Sequence, residues 1–420
     1  MTGVSRMIQD AGLKRIREQY PMLKHWVFFN AADQMIPGRY WMDAMRECIN
    51  LYEAGRIEDD APYGPATHPF LTNIFFETIR KSARLLHALE EEVTNIYRVM
   101  TAANLIINDL LKWERGDNVV FTDMDYPSIP FILLNLRKKG VELRRIKNVN
   151  GEILISDIEK SVDDRTKLVV VNHTMPWSGF TYNVKEVARI AHEHGAYVLD
   201  DAIQAVGAID VDVHRDDVDF LLTGSYKWQC GPEGAGILYV KRELIERFDP
   251  DFRNYIWADV PGGIPFSSPE HDNVKHWDYP LVRTANRFDM GVCVTPVLFG
   301  WDATLDFLLS IGMDTIEQRV RGLGNYLFDR LHEIGCRVRT PEDRSKRHGL
   351  IVYSTGDHSL DQISFKYFNA PPPSEKPIKV SLRYVGGVGG IRVSTHFFNT
   401  KEEVDYLIET QRKLLRKLKT

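Results

Sequence analysis

Val198-Leu199-Asp200-Asp201-Ala202-Ile203-Gln204 is an apolar run that stops on two carboxylates. Short runs of the same kind lie on either side of it: Val119-Val120-Phe121, Lys167-Leu168-Val169-Val170-Val171, Phe220-Leu221-Leu222 and Gly236-Ile237-Leu238-Tyr239-Val240. Lys167–Val171 carries four branched apolar residues in five positions and therefore needs burial on both faces. Helical stretches fall between these runs, at Phe131 to Lys139 and at Val184 to His194. Strands that alternate with helices imply crossover connections and a mainly parallel sheet covered by helices on both faces.

Outside this block the pattern changes. Trp26-Val27-Phe28-Phe29-Asn30 reads as a short strand entering a turn, and apolar residues at intervals of three and four predict a helix around Phe70 to Leu89. Polar, Pro/Gly-rich sequence from Asp259 to Asp278 breaks the rhythm. Helices follow at Trp301 to Ile311 and Ile316 to Ile334, then a strand near Leu350–Tyr353 and a last helix from Lys401. The expected class is α/β, divided into an N-terminal arm (1–40), a large domain (41–288) and a smaller α+β domain (289–420) on which the arm packs. No internal repeat is evident, and Ala370-Pro371-Pro372-Pro373-Ser374 is a loop.

With 420 residues the chain can bury two sizeable cores. A net charge of −5 argues against a nucleic-acid surface. The basic tail Arg412–Lys419 is the end of an amphipathic helix, with cations where the helix dipole favours them. Cys48, Cys230, Cys293 and Cys336 lie far apart, without metal-ligand or disulfide spacing, which fits a reducing compartment. His192 and His194 fall on different faces of a helix and make no metal site. Met1–Arg6 has no apolar core, and no run of eighteen apolar residues occurs. The expectation is a soluble, cytoplasmic protein with no membrane partner.

After the next strand, Gly224-Ser225-Tyr226-Lys227-Trp228 places a lysine near those strand-end carboxylates. This pairing suits pyridoxal 5'-phosphate (PLP). One lysine forms a Schiff base with the cofactor aldehyde, and one buried carboxylate keeps the pyridine nitrogen protonated. Asp200 and Asp201 are successive strand residues on opposite faces, so only one of them can point at the ring. The other would hydrogen-bond a neighbouring turn.

Five patches, in order from Asn30 to Asp405, extend this reading: Met100-Thr101-Ala102-Ala103-Asn104, Asp125-Tyr126-Pro127-Ser128, Asp201-Ala202-Ile203-Gln204, Ser225-Tyr226-Lys227 with Gly231-Pro232-Glu233-Gly234, and Arg392-Val393-Ser394 through Asn399-Thr400-Lys401-Glu402-Glu403-Val404-Asp405. Together they resemble the class-V, fold-type I PLP enzymes, a group that includes cysteine desulfurases, isopenicillin N epimerases, kynureninases and some aminotransferases. The resemblance implies a fold-type I PLP-transferase with a sheet of the seven-stranded type, a homodimer with active sites near the subunit interface, and a small amino-acid substrate.

The resemblance also assigns roles. Lys227 is the Schiff-base lysine, Asp201 the pyridine partner and Gln204 a contact to the ring hydroxyl. Ser225 is a phosphate ligand, and Tyr226 replaces the histidine seen in desulfurases. Thr101 and Ala102 align with the phosphate-binding turn, although Met100 stands where the first threonine should be and no glycine is present. They would open a helix, Leu105 to Trp113, whose free N–H groups face the phosphate; Thr101 is otherwise a helix cap. Tyr126 is the ring-stacking candidate, or else a packing tyrosine. His173 lines the cofactor with Trp177, or is a structural histidine. Arg392 grips the substrate carboxylate through a two-pronged bond. Asn30 and Arg383 join the substrate site, with Arg383 reading a second acidic group. In Arg287-Phe288-Asp289-Met290-Gly291-Val292, Val292 stands where the family has the threonine that reaches the neighbouring subunit's phosphate, with Thr295 as the alternative.

The expected reaction lies at the α carbon of an amino acid. Reprotonation on the opposite face gives epimerisation, loss of a β substituent gives elimination, and protonation on the cofactor gives transamination. A lyase or epimerase resembling isopenicillin N epimerase is the leading expectation and an aminotransferase the alternative. A non-catalytic PLP-binding protein would have no use for Lys227, Asp201 and Arg392 together. Sulfur extraction is disfavoured. Desulfurases attack sulfur with a cysteine on the loop before the carboxylate-binding arginine, and Ser381–Gly390 contains none. Cys230 follows Lys227 closely but sits on the wrong loop. The glycines at 386–390 suggest a substrate-gating segment.

Overall fold

A computed structural model describes residues 10–55, 69–259, 280–291 and 294–417. The expected Pro/Gly-rich break lies outside the described residues except for Asp259, and so do Val292, Cys293 and the last two residues of the basic tail. The strands are β1 (Val27–Phe28), β2 (Val93–Ile96), β3 (Asn118–Thr122), β4 (Glu142–Ile146), β5 (Thr166–Asn172), β6 (Tyr197–Asp201), β7 (Phe220–Gly224), β8 (Gly236–Val240), β9 (Arg337–Val338), β10 (Leu350–Ser354), β11 (Ile378–Lys379), β12 (Ser381–Val385) and β13 (Val388–Ser394).

Seven of them form one sheet in the order β2-β8-β7-β6-β5-β3-β4. β8 runs antiparallel to both neighbours, and the other pairs are parallel. The expected α/β fold with a mainly parallel sheet is therefore present. Strand alternation divides its side chains between two cores. Val120, Val169, Val171, Val198 and Leu221 enter one, under the helices at Pro69–Leu86 and Val184–Glu193. Val119, Phe121, Val170, Leu199 and Leu222 enter the other, under the segments Val99–Leu110 and Ser128–Lys139.

Two helix expectations need correcting. The helix placed at Leu105 to Trp113 begins at Val99, because Arg98 is extended (φ −150°, ψ 138°) and acts as its cap. It widens into a π-helical turn over Leu105–Leu110 and ends as Leu111 becomes extended. The helix placed at Phe131 to Lys139 begins at Ser128, tightens to a 3₁₀ helix from Leu134, and stops at Gly140, which is left-handed at φ 78°.

A second sheet, β12-β13-β10-β9, is antiparallel and packs on the helices Met313–Glu333 and Lys401–Lys417. The arm joins it: β1 pairs with β11, and Asn30 bridges to Ser394. The helix Thr295–Ile311 packs against helices Arg39–Glu53 and Pro69–Leu86. β12 and β13 meet in a tight turn at Gly386-Gly387, both left-handed (φ 60° and 77°). The tip is tied to the large sheet, since Asn148 Nδ2 donates to the carbonyl of Gly386 (2.9 Å) and to Asp123 Oδ1 (3.1 Å).

Gly207 is wedged under the chain that follows β7. It is left-handed (φ 91°), and a Cβ there would stand 2.5 Å from the carbonyl carbon and oxygen of Trp228. Gly207→Ala combines a disfavoured backbone with a clash against main chain that cannot rotate away. It should lower unfolding free energy by roughly 2–4 kcal/mol in a urea titration. Unchanged stability would show that the Trp228 backbone is not held there.

Candidate active site

β3, β5, β6 and β7 are parallel and contiguous in the sheet, so their carboxyl ends lie along one edge, where open α/β sheets bind ligands. The segments that leave these strands supply Tyr126, Pro127 and Ser128, then Trp177, then Gln204, then Tyr226 and Lys227. The arm adds Ala32 and Asp33, and the second sheet adds Arg383 and Arg392. These residues line a cavity of about 420 Å³.

Lys227 is only 7% exposed. Burial pushes its pKa down to about 8, with Asp201 opposing the shift and Arg392 adding to it. Asp201 is also buried, and burial pushes its carboxyl up to about 6 against the pull of Lys227. The carboxylate accepts from the amide of Ile203 (3.3 Å). The Lys227 ammonium nitrogen lies 5.4 Å from the centroid of Tyr126, whose ring stacks on Trp177 at 6.0 Å and 11°. The indole N–H of Trp177 is buried and has no partner among the described residues.

Asp200 does face away from Asp201. Its Oδ2 lies 2.7 Å from His173 Nδ1, both side chains being buried. Burial disfavours charge on that ring, but Asp200 outweighs it and holds the His173 pKa above its ordinary value. The structure thus places His173 on Asp200, and His173 does not line the cavity.

Other expected residues are placed as follows. Gln204 lines the cavity; its Nε2 donates to the carbonyl of Ala32 (2.9 Å) and its Oε1 accepts from the Trp228 indole (2.8 Å). One amide hydrogen is left for a ring hydroxyl. Ser225 points its hydroxyl at the carbonyls of Pro232 and Ala235, which holds the 231–235 loop, and it does not line the cavity. Thr101 is exposed and Ala102 buried, and neither lines the cavity. Their amides already donate to the carbonyl of Arg98, so the donors that helix geometry leaves open belong to Val99 and Met100. Asn30 is buried behind the wall, accepting from the Ser381 hydroxyl.

Arg392 is 3% exposed and donates to the carbonyl of Pro176 and to Ser381 Oγ (both 3.2 Å), while its Nε has no partner among the described residues. Burial lowers its pKa to about 10, so it stays cationic near neutral pH. Sequence reasoning missed Asp33. Its Oδ1 accepts from Arg383 Nη2 (2.9 Å) and lies 3.7 Å from Arg392 Nη2. Nothing in the local sequence marks it, since its partners come from strands some 350 residues away.

The donor set fits PLP. A buried amine of depressed basicity has an anion beside it, flat aromatic walls to receive a ring, and an unpartnered indole donor. Lys227 and Asp201 would hold the aldehyde and pyridine ends, and the open amides of Val99 and Met100 are available donors at the neighbouring helix start.

Only the neutral amine is nucleophilic, and its share grows as pH rises through about 8. The rate at which apoprotein turns yellow on adding PLP should therefore climb across that pH. Asp201 raises the Lys227 pKa, so Asp201→Asn should move the midpoint to lower pH; an unmoved midpoint would separate the two groups.

The family model described as "Aminotransferase class-V" matches residues 68–407. A probable cysteine desulfurase of Halalkalibacterium halodurans is 29% identical over 337 residues, covering 78% of this chain and 79% of its own. One from Methanothermobacter thermautotrophicus is 26% identical and covers 94% and 96%. Among solved structures, apo cysteine desulfurase from Thermococcus onnurineus superposes with a TM-score of 0.81 at 23% identity, covering 96% and 98%. The cystine C-S lyase C-DES, in complex with its reaction product cysteine persulfide, gives 0.79 at 19% identity, covering 94% and 99%. The family match takes in both Lys227 and Asp201, and the chain belongs to the class-V aminotransferase family of PLP-dependent enzymes.

Proposed function

We propose that this enzyme is an amino-acid lyase: it removes the α proton of its substrate and releases a substituent from the β carbon. The observation that carries the reading is a single cavity lined by both the Lys227 amine, which Asp201 acts on, and the Arg392 guanidinium. When bound, PLP supplies an electron-accepting ring that makes bonds at the α carbon labile. Arg392 orients the substrate carboxylate, with its unpartnered Nε as a further donor. A Lys227 amine with a pKa near 8 can take a proton and return it close to neutral pH.

Inversion needs an acid on the face opposite the base. Among the described residues that line the cavity, Lys227 is the sole amine or imidazole, and the phenols of Tyr126 and Tyr226 are the other groups that could give up a proton there. The relatives named as desulfurases and the C-S lyase support carbon–sulfur cleavage as the elimination. Transfer of sulfur to a protein thiol is less supported. The described cysteines, Cys48, Cys230 and Cys336, are buried, and none lines the cavity. Cys230 Sγ lies 3.4 Å from His396 Nε2, and burial pushes its thiol up to about 12.

The same proposal includes a homodimer in a reducing, cytoplasmic setting. Phe131 and Leu134 stand exposed on the segment that begins at Ser128 in the cavity wall, and the described cysteines are free. Among the described residues no helix is long and apolar enough to cross a membrane.

PLP-loaded enzyme incubated in deuterated water with L-cysteine, L-cystine, L-serine and L-alanine is the decisive experiment. The expected result is deuterium at the α carbon, together with ammonia and a 2-oxo acid from substrates that carry a β leaving group. Build-up of the D isomer without oxo acid would replace the lyase by an epimerase. Product formation that depends on an added 2-oxo acid would replace it by an aminotransferase. Arg392→Gln should raise KM for the amino acid by roughly a hundredfold with smaller loss in kcat, and Arg392→Lys should restore little because an ammonium lacks the fork.

A further inference from the structure

Besides Lys227, three charged groups line the cavity: Arg392 and Arg383 from the second sheet, and Asp33 from the arm. Arg383 is not free to read a second acidic group, as its place in the sequence suggests, because its Nη2 already donates to Asp33 (2.9 Å). Asp33 also lies 3.7 Å from Arg392 and accepts from Asn30 Nδ2 (3.4 Å). Burial works against its charge, but Arg383 and then Arg392 overcome this and keep the carboxyl below its ordinary pKa. Asp33 is an anion that faces the substrate space with its side chain 45% exposed.

The turn that carries Asp33 is tied on both sides. The Asp33 amide donates to the carbonyl of Asn30 (3.0 Å) and the Ala32 amide to Ser394 Oγ (3.1 Å), while the Ala32 carbonyl accepts from Gln204 (2.9 Å). A substrate group therefore meets Asp33 where it stands. Arg383, Arg392 and Asp33 together leave one positive charge in excess. The α-carboxylate of an amino acid on Arg392 cancels it. A second carboxylate would have to displace Asp33 from Arg383 and lie beside a like charge.

We propose that Asp33 is a specificity residue that restricts the cavity to amino acids with a single carboxylate and excludes dicarboxylic ones. This rests on reading the cavity as an amino-acid site. Asp33 acts as a built-in carboxylate, filling the place that the side-chain acid of an aspartate-like or sulfinate-bearing substrate would take.

Calorimetric titration of the PLP-loaded enzyme with propionate and with succinate, neither of which reacts, tests the charge argument. Exchange of the α proton of L-alanine and of L-aspartate into deuterated water tests it on substrates. Wild-type enzyme should bind propionate more tightly than succinate and exchange L-alanine faster than L-aspartate. Asp33→Asn, nearly isosteric, should shift both ratios toward the dicarboxylate by about tenfold. Arg383→Gln, which removes the nearer of the two cations beside Asp33, should shift them the other way. Equal binding of the two acids by wild-type enzyme, or ratios unmoved in Asp33→Asn, would overturn the assignment. Loss of exchange with every amino acid would instead overturn the enzymatic reading, while the calorimetric ratio would still decide the role of Asp33.

Discussion

Water is largely excluded from the Lys227 amine, and that exclusion sets what the cavity can do. Desolvation lowers its basicity, and the anions Asp201 and, less, Asp33 stop the fall at about 8. The surrounding architecture serves this balance. Register places Asp201 opposite Leu222 near the end of β7, so the carboxylate and the lysine that follows β7 leave the sheet on adjacent strands. The Trp228 indole, bonded to Gln204, and the close approach of Gly207 hold the turn that presents the amine. Aromatic rings on the other side, Tyr126 stacked on Trp177, give the space a flat wall.

Pleating lets one strand end serve two purposes. Asp200 and Asp201 are neighbours in sequence, yet one meets an imidazole on one face of the sheet and the other meets the amine on the opposite face. His173 offsets the charge of Asp200, which would otherwise raise the Asp201 pKa further. His173, which the sequence offers as either a cofactor-lining or a structural histidine, is a partner to the spare carboxylate.

Much of the architecture was legible because it depends on local periodicity. Apolar runs at Val119, Lys167, Val198, Phe220 and Gly236 became strands of the main sheet, and the tight sequence around Lys227 placed the amine. Helix starts were less legible. The cap at Arg98 arises from an extended backbone and no capping side chain, which composition does not announce. Ser225 shows a different limit: a hydroxyl beside the lysine was expected to face a ligand, but two carbonyls of a later loop claim it. Asp33 lay beyond reach altogether. It becomes functional only through β1 pairing with β11 and the arm bridging to β13, contacts that close over most of the chain.

The glycine turn between β12 and β13 has a consequence for the chemistry of relatives. Two residues in left-handed conformation close the hairpin, and Asn148 clasps its tip against Asp123. A loop this short has no length with which to carry a nucleophile toward the substrate. Inserting a flexible, cysteine-bearing arm between Gly386 and Gly387 would leave the β12–β13 ladder in register, because loop tips absorb added length at small entropic expense. Sulfur release and sulfur relay on this scaffold would then differ by the length of one hairpin, with the amine, the anion and the guanidinium untouched.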